Sequence, residues 1–208
     1  MLKYRFFIVS ILLSLSAVNS VAQNKFPVPL HDTIHCGSIY PNTNYRMTLA
    51  VIDSINKDEN VPNTLFIISR LSGEQYETIF SDSVFSQTRE VEFADFNNDK
   101  VPDILVQNIS DVRSNQTYYL YLVDTAQNKL KKVKGFEAIK NPTYLPEHNL
   151  VANYVMSGRI WTGFYIIKDD TVKDSGIVIY DNQTDDGSYD RDYKKAIRTT
   201  LKKGRKRL

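Results

Sequence analysis

Between residues 47 and 180 the apolar positions recur in short runs separated by polar punctuation. These runs are 47–52, 64–69, 77–80, 90–93, 104–109, 117–123, 151–156, 161–167 and 177–180. Each is rich in Val, Ile, Tyr, Phe or Thr, and each is too short and too β-branched to favour a helix. The connections carry turn chemistry: Asn56-Lys57-Asp58-Glu59-Asn60, Ser72-Gly73, Gln127-Asn128 and Lys168-Asp169-Asp170. Strands at this spacing predict an all-β fold, an antiparallel meander or sandwich. Tyr118-Tyr119-Leu120-Tyr121-Leu122-Val123 is apolar at consecutive positions, the signature of a central strand covered on both faces, and its expected partner is 104–109. No internal period repeats, which excludes a complete multi-bladed propeller at this length.

The two ends break the pattern. Lys3 and Arg5 precede an apolar run from Phe6 to Val18, and Ser20-Val21-Ala22 offers small residues before Gln23. Residues 1–22 therefore read as a secretory signal peptide, with a single β-rich domain expected over 23–188. That places the chain in the periplasm or outside the cell. Cys36 is the sole cysteine, so no disulfide forms within the chain; this fits a bacterial envelope better than a eukaryotic secreted module. The Asn-x-Ser/Thr triplets at Asn108, Asn115 and Asn182 would then carry no glycan.

At the other end, eight basic residues and no acids lie between Lys194 and Leu208. Setting these eight and the two of the leader aside from 26 leaves sixteen basic against 24 acidic side chains, an acidic body with a basic tail. Residues 189–208 read as a basic C-terminal helix or tail. Tyr193, Ile197 and Leu201 fall at i, i+4 and i+8, one narrow stripe for loose docking on the body, with Gly204 as a stop. Such a tail implies at most a weak contact with an anionic surface. Nucleic acid is not an expected partner of an exported chain.

The segment with the most chemistry is Asp95-Phe96-Asn97-Asn98-Asp99-Lys100-Val101-Pro102-Asp103. Oxygen-bearing side chains stand at positions 1, 3, 5 and 9, and the position-7 carbonyl of Val101 can join them, the ligand order of a calcium loop. Position 12 is Val106 and a strand pattern follows, so this is not a helix-flanked EF-hand. The segment resembles the Asp-Phe-Asn-Gly-Asp-Gly-x-Pro-Asp-Leu loop of FG-GAP and VCBS-type repeats. That resemblance implies Ca2+ as the cofactor and Asp95, Asn97, Asp99, Val101 through its backbone and Asp103 as ligands. Lys100 stands where those loops have Gly, at a position that often requires positive φ.

Downstream, the Tyr-rich strand, Phe136 to Ile139, Asn141-Pro142 and Ser157-Gly158-Arg159-Ile160-Trp161 follow the loop in an order similar to periplasmic β-proteins. These include calcium-loop immunity partners of peptidoglycan-cleaving effectors and inhibitors of invertebrate-type lysozyme. Inhibitors of this kind insert a Ser-Gly-x-x-Tyr loop into the enzyme cleft. The resemblance thus implies a protein partner of the peptidoglycan hydrolase class, bound through Ser157, Gly158, Arg159 and Trp161, with Trp161 where Tyr is expected. The alternative is an ordinary hairpin turn with Trp161 buried behind it, in a structural envelope domain whose calcium loop stabilises only its own fold.

Enzyme chemistry finds little footing. His31, His35 and Cys36 lack a second ligand pair, Ser54 and Lys57 form a Ser-x-x-Lys in a polar turn without companion motifs, and His148 has no evident partner. Asp185-Asp186 lie in a solvated segment. The expectation is a binding protein, not an enzyme.

Overall fold

A computed structural model describes residues 31–34, 36–37, 39–40 and 44–205. The leader, His35 and residues 206–208 lie outside the described residues. The chain is mostly β, and its strands form three antiparallel four-stranded sheets in chain order. The first sheet holds β1 (His31–Ile34), β2 (Tyr45–Val51), β3 (Thr64–Ser72) and β4 (Gln75–Val84). The second holds β5 (Val91–Ala94), β6 (Asp103–Ser110), β7 (Gln116–Asp124) and β8 (Lys129–Lys132). After a 3-10 turn at Phe136–Ala138 comes the third, with β9 (Pro142–Leu145), β10 (Leu150–Asn153), β11 (Ile160–Lys168) and β12 (Thr171–Asp181). Helix α1 (Ser188–Arg205) closes the described chain.

Each meander is held by turns whose residues suit the bend. Gly73 follows β3 and Asp169 follows β11 in two-residue hairpin loops, with φ of 63° and 59°. Asn128 takes φ 52° before β8. Gly, Asn and Asp tolerate this left-handed region best, which is why the polar punctuation marks the bends.

Strand alternation sends neighbouring side chains to opposite faces, and the sheets stack so that each face finds a partner. Met47, Leu49, Phe66 and Ile68 of the first sheet meet Ile104, Val106, Tyr121 and Val123 of the second. The opposite face of the second sheet, with Leu105, Tyr118 and Leu120, packs on Val151, Tyr144 and Tyr165 of the third. The middle sheet is thus covered twice, and β6 is buried from Asp103 to Asn108. The predicted pairing of 104–109 with 117–123 holds, with Ile104 opposite Tyr121 and Val106 opposite Tyr119.

A fourth layer was expected only as a loosely docked tail. Tyr193, Ile197 and Leu201 do face the third sheet, but Ala196 and Thr200 complete the stripe, and Ala196, Ile197 and Thr200 are buried. Tyr193 meets Phe164 edge-on with ring centroids 5.2 Å apart. The helix is therefore packed into the core through Ala196, Ile197 and Thr200, which corrects the expectation of a loosely docked helix or tail outside it. A single stripe at i, i+4 and i+8 understated it because Ala and Thr carry little weight in an apolar pattern. Asp186 accepts the Ser188 N–H (2.8 Å) at the helix start, so this acid of the polar segment serves as a cap.

The buried tyrosines give the fold an alkaline limit. Tyr40 is 4% exposed, and burial pushes its phenol up to about 12. Burial raises Tyr121 still further, with the Asp82 carboxylate that accepts its hydroxyl (2.8 Å) adding to the effect. A phenol whose folded pKa is raised stabilises the fold fully below about pH 10 and loses that contribution as pH rises through about 12. Absorbance at 295 nm should show exposed tyrosines ionising near their ordinary pKa and a second group ionising only as near-UV dichroism is lost. If all ionise together with the dichroism intact, the burial assignment is overturned.

Candidate metal centre and partner loop

Residues 95–102 connect β5 to β6 at one end of the middle sheet, where Ala94 pairs with Asp103. Their side-chain oxygens organise the backbone in successive Asx turns. Asp95 Oδ1 accepts from the Asn97 and Asn98 N–H groups (3.1 and 2.6 Å), and its Oδ2 accepts from the Lys100 N–H (2.9 Å). Asn97 Oδ1 accepts from Asp99 N–H (3.0 Å), and Asp99 Oδ1 from Val101 N–H (2.8 Å). The chain coils around Asp95 as a result. Asn98 and Lys100 both take left-handed φ, 62° and 70°. Lys100 thus adopts the conformation for which Gly is the easier residue, at a strain of about 1–2 kcal/mol.

Asp103 has a different environment. It is fully buried, with Oδ2 accepting from Phe96 N–H (2.8 Å) and Oδ1 from Val123 N–H (3.0 Å) of β7. Its carboxyl is pushed up to about 6: burial is the largest cause, the two N–H bonds pull against it, and the charges of Asp99 and Asp95 add to the rise. Phe96 anchors the loop from below, packing edge-on against Phe136 with centroids 5.2 Å apart.

Calcium requires about six to eight hard oxygens, and the side chains of Asp95, Asn97 and Asp99 offer only some of that number. A carboxylate offers about four lone-pair sites, so Asp95 and Asp103 retain acceptor capacity beyond their N–H bonds. Among the described residues, no group of three or more His, Cys, Asp or Glu side chains converges as a ready-made metal site. The oxygen donors are of the type calcium takes, while Asp103 faces the sheet interior through its bonds to Phe96 and Val123.

Ser157, Gly158, Arg159 and Trp161 are brought together where β10 turns into β11. Val155 and Trp161 exchange two backbone hydrogen bonds (2.9 and 3.2 Å), so the chain between them forms a narrow hairpin tip. The Ser157 hydroxyl donates to the Arg159 carbonyl across that tip. Gly158 and Arg159 are exposed, while Ser157 and Trp161 are half-buried. The Arg159 guanidinium lies 3.9 Å above the Tyr180 ring. Trp161 pairs with Tyr180 across the β11–β12 ladder, on the face turned away from α1. Val178 and Tyr180 on that face are 48% and 44% exposed. Trp161 is not sealed in the core, and an aromatic patch with one cation stands beside the tip.

Pattern reading missed the residue that mounts this tip. Asn115, at the entry to β7, is 2% exposed. Its Oδ1 accepts from Met156 N–H (2.8 Å) and Asn141 Nδ2 (3.0 Å), and its Nδ2 donates to the Met156 carbonyl (2.7 Å). Asp111 holds the same amide and accepts from Lys140 Nζ (2.8 Å), and these bonds keep the Asp111 carboxyl well below the usual range. Asn63, Asn108 and Asn153 are buried as well, so what sets Asn115 apart is its pair of bonds to the Met156 backbone, which no local motif encodes.

The remaining sequence candidates stay apart. The Cys36 thiol is buried and free, with its pKa raised by burial. Ser54 and Lys57 are exposed in the turn after β2. The His31 side chain and His35 lie outside the described residues. Compared with known proteins, the chain matches no family model, no curated relative and no solved structure.

Proposed function

We propose that this chain is an exported, calcium-stabilised β-domain that binds another protein, with a peptidoglycan hydrolase as the partner class. The observation that carries the reading is the β10–β11 tip, where a Ser hydroxyl, a Gly and an exposed Arg159 stand beside the half-buried Trp161. A glycoside-cleaving groove is acidic and lined to hold sugar, and its catalytic carboxylates lie within reach of an inserted loop of this kind. Arg159 complements the charge, and Trp161 with Tyr180 supplies the aromatic anchor that dominates most interfaces. Asp95, Asn97, Asp99, the Val101 carbonyl and Asp103 would hold the calcium ion, which supplies charge neutralisation to a loop of clustered carboxylates. The setting is the periplasm or the cell exterior.

A second reading is favoured by Asp103, which ties the loop to β7 through Val123: the loop stabilises a structural envelope domain with no partner at its tip. Titration of the protein into muramidases acting on peptidoglycan separates the two. Inhibition is expected, with Trp161→Ala weakening it by about 2 kcal/mol, roughly 30-fold, at an unchanged melting temperature. Undiminished hydrolysis across invertebrate-, chicken- and phage-type enzymes would leave the structural reading in its place.

A further inference from the structure

The third sheet and the C-terminal half of α1 border a solvent-open cavity of about 560 Å3 that neither the calcium loop nor the β10–β11 tip touches. Leu150, Ile166, Val172 and Leu201 supply its apolar lining. The volume lies within the range of about 300–1,000 Å3 typical of small-molecule sites, and such sites are mostly apolar with a few placed polar groups.

Two further observations define what would fit. Thr200 lines the cavity and is fully buried, yet its hydroxyl has no hydrogen-bond partner. The adjacent Thr199 hydroxyl donates to the Lys195 carbonyl (2.8 Å), the bond a helical threonine ordinarily makes, so Thr200 differs from its neighbour under the same backbone. A buried donor left open in this way costs stability unless a ligand accepts from it. The cavity is also lined by Lys168, Lys173 and Lys203, against the single carboxylate of Asp174, whose Oδ1 already accepts the Gly176 N–H (2.8 Å). Lys203 Nζ donates to the Ser175 carbonyl (3.2 Å), which holds one cation at the cavity. Gly204 lets the helix approach this closely, since a Cβ there would come within 3.2 Å of Ile166 Cδ1.

We propose that this cavity binds a small single-chain amphiphile with an anionic head, a carboxylate or a phosphate. The hydrocarbon covers the Leu150, Ile166, Val172 and Leu201 surface. The head accepts from the Thr200 hydroxyl and sits in the field of the three lysines. This site is independent of the partner loop and of calcium.

The test uses the intact exported chain with laurate, dodecyl phosphate, dodecyltrimethylammonium and inorganic phosphate, each below its micellar concentration, followed by calorimetric titration and melting temperature. Laurate or dodecyl phosphate is expected to bind and raise the melting temperature, and the tighter of the two identifies the head group. Inorganic phosphate and the cationic amphiphile should bind at least tenfold more weakly. The exposed pair Lys168→Glu with Lys173→Glu, and separately the near-isosteric Thr200→Val, should each weaken binding tenfold or more with circular dichroism unchanged. Equal binding of the cationic amphiphile, binding that none of these substitutions affects, or no binding of either anion overturns the proposal.

Discussion

Asp103→Ala is expected to destabilise the chain by about 2 to 3 kcal/mol even with all divalent ions chelated. The substitution leaves two buried backbone donors, Phe96 N–H and Val123 N–H, without acceptors, each worth about 1–3 kcal/mol. Removal of a carboxyl that burial has pushed up to about 6 offsets part of that loss. Asp95→Ala should behave differently. Its acceptor bonds lie in a partly solvated loop, so its cost in chelator is smaller, but it should abolish the gain from calcium. A ligand that binds only the folded state adds about 2.7 kcal/mol at a hundredfold excess over Kd. Urea unfolding of the parent and both variants, in chelator and in millimolar calcium, reads all four quantities. Superimposable parent curves in the two buffers would mean that the loop is a turn and nothing more.

The second large effect is expected at Asn115. Asn115→Ala removes an amide that satisfies both backbone groups of Met156 and is itself held by Asp111 and Asn141, for a loss of about 2 to 3 kcal/mol. The change should also free the tip that carries Ser157 to Trp161, so amide exchange at Met156 should accelerate while the β6–β7 ladder stays protected. Asn115→Asp is the informative companion. It keeps the acceptor for Met156 N–H, loses the donor to the Met156 carbonyl, and places a second negative charge beside Asp111. A loss under about 0.5 kcal/mol with unchanged exchange at Met156 would show that the tip is held by its own hairpin bonds.

Much of this architecture was legible because it is written in strand-period alternation. The doubly covered β7, its pairing with β6, and the position of the Asp95–Asp103 loop at the end of the middle sheet all follow from runs such as Ile104-Leu105-Val106. The elements that escaped were those without an apolar pattern. β8 is Lys129-Leu130-Lys131-Lys132, and β9 opens on Pro142. Both are edge strands, with one neighbour each, and edge strands tolerate polar residues and proline that a central strand would not. β1 lies close to the expected processing site and carries only one strongly apolar residue, Ile34. The candidate site was legible in its residues and not in its geometry. Ligand spacing singled out Asp103, but only the register of β5, β6 and β7 turns it inward toward Val123.

The lysines of β8 bear on how copies of this chain meet one another. An edge strand offers a row of open N–H and C=O groups to any other chain, and the middle sheet ends on one side in β8. Lys129 and Lys131 are exposed there. Lys132 is drawn back to Asp82 (2.7 Å), and its ammonium lies 4.4 Å from the centre of the Tyr119 ring. A second molecule adding its own β8 in an antiparallel ladder would bring these cations against their counterparts, a repulsion that a threonine-rich edge would not impose. The polar composition that hid this strand from pattern reading is thus the kind that disfavours edge-to-edge polymerisation of neighbouring molecules.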